Sequence, residues 1–317
     1  MSVRSKPKIG LALSGGAARG FSYIGVLKVF EKHKIPIDYI SGTSAGAIIG
    51  SLYASGYSAK EIGEIITSTP WSSIFDISDF RSGLIGQKKI NKYLKKLLKG
   101  KQFKDLNIPL AVTAVDIGNG SEVVFDSGDV ANAVNASMSI PGIFAPVKIK
   151  NRYYIDGGVV DPCPVGILNR KKIDIKIAVD LSIETKGYKF SKAAPEEKSN
   201  PAFDKMLVNG LNNFKNFLKG KHYLPSAILW WINPKKILQI LHSPAPPIIE
   251  ITSRAYYLQQ NELTKSKLIE HKPDIIIRPN IDKIGMFDFH KYKSAVKAGE
   301  YATRRHISKI KKLAKIK

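Results

Sequence analysis

The apolar residues in the first half of the chain alternate between two spacings. Short, nearly continuous apolar runs at residues 8–15 and 37–42 have the length and composition of buried strands. Residues 20–35 and 45–56 instead carry apolar residues at helical spacing. Because strands that alternate with helices form layered α/β folds, this pattern predicts an α/β architecture with a largely parallel sheet.

The alternation continues beyond this first pair of units. Ser58 and Glu61 form a capping box that opens a further helix, and Pro70 ends it. Further strands, a helix and a hairpin are predicted, in chain order, at 108–117, 121–127, 129–139, 145–156, 173–181 and 273–279.

Residues 184–248 interrupt this rhythm. Their first part is polar and rich in turn residues, and their second part holds apolar residues between prolines. We interpret the segment as an insertion or lid within a single domain of residues 1–317. Two interpretations of Trp230 and Trp231 stay open, since such rings pack against a core or lie in a lipid interface.

The composition is that of a globular protein. The 317 residues are 44% hydrophobic, which is enough for a sizeable core. Cys163 is the only cysteine, so no internal disulfide can form, as is typical of a reducing compartment. The chain has no signal-peptide pattern at its start and no apolar stretch of about 18 residues, so we expect a cytoplasmic protein.

The charge is strongly basic, with 50 Lys and Arg against 26 Asp and Glu, a formal net charge of +24. Such a charge favours an anionic partner, either nucleic acid or a membrane surface, although a lysine-rich proteome would give the same composition. Residues 304–317 contain seven basic residues and no acidic one. Their apolar positions have helical spacing, so we expect a basic C-terminal helix that packs on the body of the protein, with a membrane-surface helix as the alternative.

The sequence SGGAARG, residues 14–20, lies between the first strand and the first helix. Glycines at this position leave backbone N–H groups free to bind negative charge, such as a pyrophosphate or the oxyanion of acyl transfer. The dinucleotide-binding fingerprint fails, because Ala17 stands at its third position and the next strand does not end in an acidic residue. A nucleotide-binding enzyme therefore stays a minor alternative.

The sequence GTSAG, residues 42–46, fits the nucleophile elbow G-x-S-x-G between a strand and a helix. Ser44 would occupy a strained turn that exposes its hydroxyl, while Gly42 and Gly46 approach each other too closely for a Cβ atom. Ala45 is small, so the helix N-terminus can come close to the reacting atoms. The alternative is a glycine-rich turn without a chemical role.

A serine hydroxyl needs a base, and Asp156 is the candidate. It ends an apolar strand and precedes two glycines, although Asp-Gly is also a strong turn signal. The order Ser44, Asp156, His271 would suit a hydrolase triad, but His271 precedes its strand and is expected at the opposite edge of the sheet. We therefore expect the six histidines to be ordinary surface residues.

The three motifs together, with the segment NASMSIPGIFAPV at 135–147, resemble the patatin-like phospholipase family. The resemblance is strong over residues 8–182 and weaker near the C-terminus. It implies a three-layer α/β/α fold and a Ser44–Asp156 dyad that works without histidine. It also implies an oxyanion hole from the backbone amides of Gly15, Gly16 and Ala17. Supporting positions are Arg19, Gly20, Gly42, Gly46, Gly157 and Gly158.

One departure from the family pattern is visible, in the glycine loop. The family often has glycine where this chain has Ala17, and an alanine there would cost about 1 kcal/mol or more if the turn requires a positive φ. At position 158 the family uses alanine as well as glycine, so the glycine of this chain is expected to be harmless.

The resemblance implies hydrolysis of a lipid carboxylic ester, such as a phospholipid or lysophospholipid, with no cofactor and no metal. We expect peripheral contact with an anionic membrane and no specific nucleic acid. The alternative from another class is a basic surface-binding protein that does not hydrolyse its ligand.

Overall fold

The computed structural model describes residues 6–69, 74, 85–183, 208–210, 212, 248–286 and 288–316, with only the backbone at 248–250. The predicted insertion at 184–248, with its two tryptophans, therefore lies almost entirely outside the described residues.

The core of the fold is one mixed sheet of eight strands in the described residues. The strands are β1 (Ile9–Leu13), β2 (Tyr39–Thr43), β3 (Leu110–Asp116), β4 (Glu122–Phe125), β5 (Val147–Ile149), β6 (Arg152–Asp156), β7 (Ile175–Val179) and β8 (Ile275–Ile277). Their hydrogen-bonded order is β5-β6-β3-β2-β1-β7-β8, with β4 paired to β3. The pairs from β3 through β2, β1 and β7 to β8 are parallel, and the pairs that involve β4, β5 and β6 are antiparallel.

The helices surround this sheet. They are α1 (Ser22–Lys32), α2 (Ala45–Ala54), α3 (Ala59–Ser68), α4 (Lys88–Leu97), α5 (Val130–Ser137), α6 (Val165–Arg170), α7 (Ile248–His271), α8 (Tyr292–Arg304) and α9 (Ile307–Ala314). The predicted capping box is present at the start of α3, where the Ser58 hydroxyl accepts from the Glu61 N–H and Glu61 accepts from the Ser58 N–H.

Alternate residues of β1 face two separate apolar layers, as the pleat of a strand requires. Ile9, Leu11 and Leu13 pack in the larger core, which includes residues of α1, α2, α3 and α8. Ala12 packs in a second cluster, on the other face, with residues of α6 and α7. The sheet is therefore covered on both faces, and the predicted three-layer α/β/α fold is confirmed.

Helix α9 lies in the predicted basic C-terminal segment. Ile307, Ile310 and Ala314 on this helix are buried in the larger core. Its lysines lie on the outer side, so the helix is docked on the body of the protein in this structure. In the part of the chain that the structure describes, no helix has the length and apolar character needed to cross a bilayer.

The two sides of β3 explain how distant parts of the chain meet. On one side, β4 pairs with Val112–Val115. On the other side, β2 pairs with residues 110–113, and β6 then pairs with residues 114–116. Strands β2 and β6 therefore lie end to end along the same side of β3, so the last residue of each lies beside the last residue of the other.

Candidate active site

Ser44 lies in a strained turn between β2 and α2, as the elbow motif predicts. Its φ of 55° and ψ of −118° are unfavourable for a residue with a Cβ atom. The Ser44 N–H donates to Ser137 Oγ at 2.8 Å, which helps to hold this conformation. An ideal Cβ atom on Gly42 would lie 2.7 Å from the Gly46 carbonyl oxygen, and one on Gly46 would lie 2.2 Å from the Leu13 carbonyl oxygen. Both glycines are therefore required by close backbone contacts.

The strand register brings Asp156 to Ser44. Thr43 pairs with Thr113 of β3, and the next residue of β3, Ala114, pairs with Asp156. The Ser44 hydroxyl lies close enough to the Asp156 carboxylate to lower its pKa. Gly157 follows without a side chain, because a Cβ atom there would lie 2.5 Å from the Thr113 carbonyl oxygen.

The environment of the Asp156 carboxyl is dry and only partly satisfied. Its exposed fraction is 0%. Oδ1 accepts a hydrogen bond of 2.7 Å from the Gly158 N–H, whereas Oδ2 has no hydrogen bond of good geometry among the described residues. Burial raises the pKa of Asp156 to about 7, against the opposing effect of the Gly158 N–H and of the Ser44 and Tyr256 hydroxyls. A carboxyl with this pKa can gain and lose a proton near neutral pH.

The glycine loop at residues 14–20 lies beside the nucleophile. An ideal Cβ atom on Gly15 would lie 3.5 Å from Ser44 Cβ, and one on Gly20 would lie 2.6 Å from Ala45 Cβ. The predicted three-amide oxyanion hole needs a correction, because the Gly15 N–H already donates to the Pro162 carbonyl oxygen at 2.8 Å. The N–H groups of Gly16 and Ala17 have no acceptor among the described residues.

Ala17 adopts a φ of 48°, so the strained case considered for this departure from the family pattern is the one observed. A left-handed alanine costs about 1 kcal/mol, which the rest of the fold has to offset. Ala17 is the first residue of the short helical turn Ala17–Phe21, so its N–H has no acceptor within that turn.

Arg19 fastens the glycine loop to the C-terminal half of the chain. The side chain is buried, with Nε donating to the Ile284 carbonyl oxygen at 2.8 Å. The guanidinium carbon lies 4.0 Å from the centroid of the Tyr257 ring, a cation–π contact. Burial lowers the pKa of Arg19. The arginine thus connects the loop to helix α7.

The described histidines are His33, His271, His290 and His306. None of the four hydrogen-bonds to Ser44 or Asp156, and the His271 ring packs against Gly166 of α6. Within the described ranges, no three His, Cys, Asp or Glu side chains come together in a way that would hold a metal ion.

Helix α7 supplies two side chains that the sequence motifs do not indicate. An ideal Cβ atom on Gly158 would lie 2.0 Å from Gln260 Nε2 and 2.8 Å from Tyr256 Oη. An alanine at 158 would therefore require the ends of both side chains to shift. The only sequence signal for this pair is the one-turn spacing of 256 and 260 on a helix, which is too common to point to a site.

The family assignment rests on more than the motifs. A protein-family model described as patatin-like phospholipase matches residues 11–169, half of the chain. The chain therefore belongs to the patatin-like phospholipase family. The matched range includes Ser44, Asp156 and the glycine loop, and excludes helix α7.

The chain is also similar to curated proteins, and it shares its fold with a solved structure. Lysophospholipase NTE1 of Scheffersomyces stipitis is 28% identical over 305 residues, which cover 94% of this chain but 18% of that protein. An uncharacterized NTE family protein of Mycobacterium bovis is 31% identical over 180 residues, which cover 56% of this chain and 50% of that protein. The chain thus spans a fifth to a half of the length of these relatives. The crystal structure of VipD from Legionella pneumophila shares the fold, with a TM-score of 0.54, 14% identity, and coverage of 96% of this chain and 67% of that one.

The raised pKa of Asp156 predicts how stability changes with pH. In the folded protein the carboxyl holds its proton up to about pH 7, whereas the ordinary pKa of an aspartate carboxyl is 3.8. The free energy of unfolding should therefore fall as the pH rises through this interval. The amide introduced by Asp156→Asn does not titrate, so the stability of this variant relative to the wild type should increase by about 2–3 kcal/mol between pH 5 and pH 8.

Urea unfolding of both proteins at several pH values measures this difference. Asp161 is also buried with a pKa raised to about 7, but it is common to both proteins and cancels. A difference that stays constant from pH 5 to pH 8 would show that Asp156 does not titrate in this range.

Proposed function

We propose that the chain is a serine acyl hydrolase that cleaves carboxylic esters of lipids through Ser44 and Asp156. The observation that carries the proposal is that Ser44, in its strained turn, lies beside the buried carboxyl of Asp156, whose pKa is raised. The glycine loop approaches Ser44 at Gly15, and its Gly16 and Ala17 N–H groups have no acceptor among the described residues. Nucleophile, base and oxyanion donors are the three groups that acyl transfer requires.

In the first step, ionised Asp156 accepts the hydroxyl proton of Ser44 while Oγ attacks the ester carbonyl carbon. The N–H groups of Gly16 and Ala17 stabilise the tetrahedral oxyanion, and loss of one such donor typically costs about 10²–10³ in rate. As the intermediate collapses, the proton on Asp156 passes to the leaving alcohol, and the acyl group stays on Ser44.

In the second step, a water molecule attacks the acyl-enzyme and Asp156 accepts its proton. The second tetrahedral intermediate uses the same donors, and its collapse returns the proton to Ser44 and releases the fatty acid. The same carboxyl therefore acts as base and acid in turn, which a pKa of about 7 allows.

The proposed substrate class is a phospholipid or lysophospholipid. Curated relatives are named lysophospholipases, and the net charge of +24 would attract the chain to an anionic lipid surface. Peripheral membrane contact is part of this proposal.

Removal of either dyad residue should abolish hydrolysis. We expect Ser44→Ala and Asp156→Asn each to reduce turnover of a short p-nitrophenyl ester and of a lysophospholipid by at least about 10³. Matched controls are Ser51→Ala, a buried serine of α2 that donates to the Ile48 carbonyl oxygen, and Asp161→Asn, a second buried carboxyl that is affected by Glu122 and Lys267 and not by Ser44. Both controls should stay active. Normal turnover by the Asp156→Asn variant would show that the base is another residue.

The pH dependence should follow the ionisation of Asp156. Only the carboxylate can accept the Ser44 proton, and burial raises its pKa to about 7. We therefore expect kcat/KM to increase about tenfold per pH unit below pH 7 and to level off above it. Initial rates from pH 5 to pH 9 measure the profile, full activity after return from pH 5 to pH 8 excludes irreversible acid inactivation, and circular dichroism at pH 5 checks that the protein is folded there. A flat profile over this range would contradict the assignment of Asp156 as base.

A further inference from the structure

Helix α7 places two side chains, one turn apart, against the loop at residues 156–161, which is called the acid loop below. Tyr256 and Gln260 both approach Gly158, as the short distances to an ideal Cβ atom at that position show. The same comparison at Gly15 places Gln260 Nε2 at 3.4 Å, so the Gln260 amide lies between the glycine loop and the acid loop. This pair lies outside the range that the family model matches.

The Tyr256 hydroxyl and the Asp156 carboxylate each have a buried polar atom that needs a hydrogen-bond partner. Tyr256 Oη and Asp156 Oδ2 are buried and have no hydrogen bond of good geometry among the described residues. An ideal Cβ atom on Gly158 would lie 2.8 Å from Tyr256 Oη and 3.1 Å from Asp156 Oδ1, so the hydroxyl and the carboxylate lie on the same side of this residue. The two groups also interact closely enough to affect each other's ionisation. Leaving both polar atoms unpaired in a dry site would cost more than the small movement that joins them.

We propose that Tyr256 is a positioning residue of the dyad, whose hydroxyl donates to the Asp156 carboxylate and holds it ionised and aimed at Ser44. The Gln260 amide contacts the Tyr256 hydroxyl and directs it. The inference rests on the proposed function, because it assigns Tyr256 a part in preparing the base of that reaction.

Tyr256 is the side chain of α7 that interacts with the Asp156 carboxylate. From the elbow it faces the Ser44 hydroxyl, from its own loop the Gly158 N–H, and from β3 the apolar Ala114. Tyr257, the next residue of α7, carries Arg19 on its ring and is close enough for the Asp156 charge to raise the pKa of its hydroxyl, but Tyr257 is not among the groups that lower the pKa of Asp156. Burial raises the pKa of Tyr256 well above its ordinary value, so it stays a neutral donor throughout the working range.

The experiment compares Tyr256→Phe with Tyr257→Phe, which removes a neighbouring hydroxyl from the same helix. Loss of a hydrogen bond to a carboxylate raises its pKa, so the acid limb of kcat/KM should move upward by about one pH unit in Tyr256→Phe. That variant should lose about tenfold in kcat/KM at pH 6 and little at pH 9. Tyr257→Phe should keep the wild-type midpoint, and thermal unfolding checks that both variants are folded.

A second readout does not depend on turnover. Carbon-13 NMR of labelled aspartate, with the Asp156 signal assigned from its loss in Asp156→Asn, follows the titration of this carboxyl directly. The same upward movement is expected in Tyr256→Phe. An unchanged midpoint with an equal loss of rate at every pH would reduce Tyr256 to a structural role and overturn the proposal. A wild type that does not hydrolyse esters would instead overturn the proposed function, while the NMR titration would still test the Tyr256 contact.

Discussion

The candidate site depends on two strands, β2 and β6, that pair with the same side of β3. Strand β2 ends at Thr43, and β6, which enters from the opposite direction, ends at Asp156 on the next residue of β3. This register brings together side chains that are 112 positions apart along the chain. Because backbone hydrogen bonds of a buried sheet fix the register, the approach of Ser44 to Asp156 is set by the sheet itself and not by flexible loops. Gly157 follows from this register, since a Cβ atom there would meet the Thr113 carbonyl oxygen of β3, whereas Gly42 and Gly46 are required by the elbow and by Leu13.

Several features that destabilise the folded state lie close together at this site. Ser44 and Ala17 have positive φ, and Asp156 is fully buried with a carboxylate oxygen that lacks a partner among the described residues. Each feature destabilises the folded state, and each suits the proposed acyl transfer: a serine held in a strained turn, a backbone donor without an acceptor among the described residues, and a base that titrates near pH 7. Helix α7 packs on the site from the C-terminal half of the chain, and Arg19 connects the glycine loop to Tyr257 of this helix and to Ile284.

The sequence predicts the parts of this site that follow from local patterns. The G-x-S-x-G spacing predicts the elbow, and the predicted close contact of Gly42 with Gly46 is confirmed, whereas Gly46 itself is constrained by Leu13. The acceptor of the Gly15 N–H could not be predicted, because Pro162 reaches it only through the tertiary fold. Tyr256 and Gln260 were missed for a similar reason: their spacing fits any helix, and only the packing of α7 brings them to Gly158. The catalytic roles of Ser44 and Asp156 stay predictions.

The central claim is that Ser44 is a nucleophile activated by its contact with Asp156, and covalent labelling tests it most directly. A fluorophosphonate probe, followed by peptide mapping, should modify Ser44 alone among the serines, and the reaction should be far slower in folded Asp156→Asn protein at pH 8. Labelling of a different serine, or equal labelling of Ser44 in both proteins, would contradict the account.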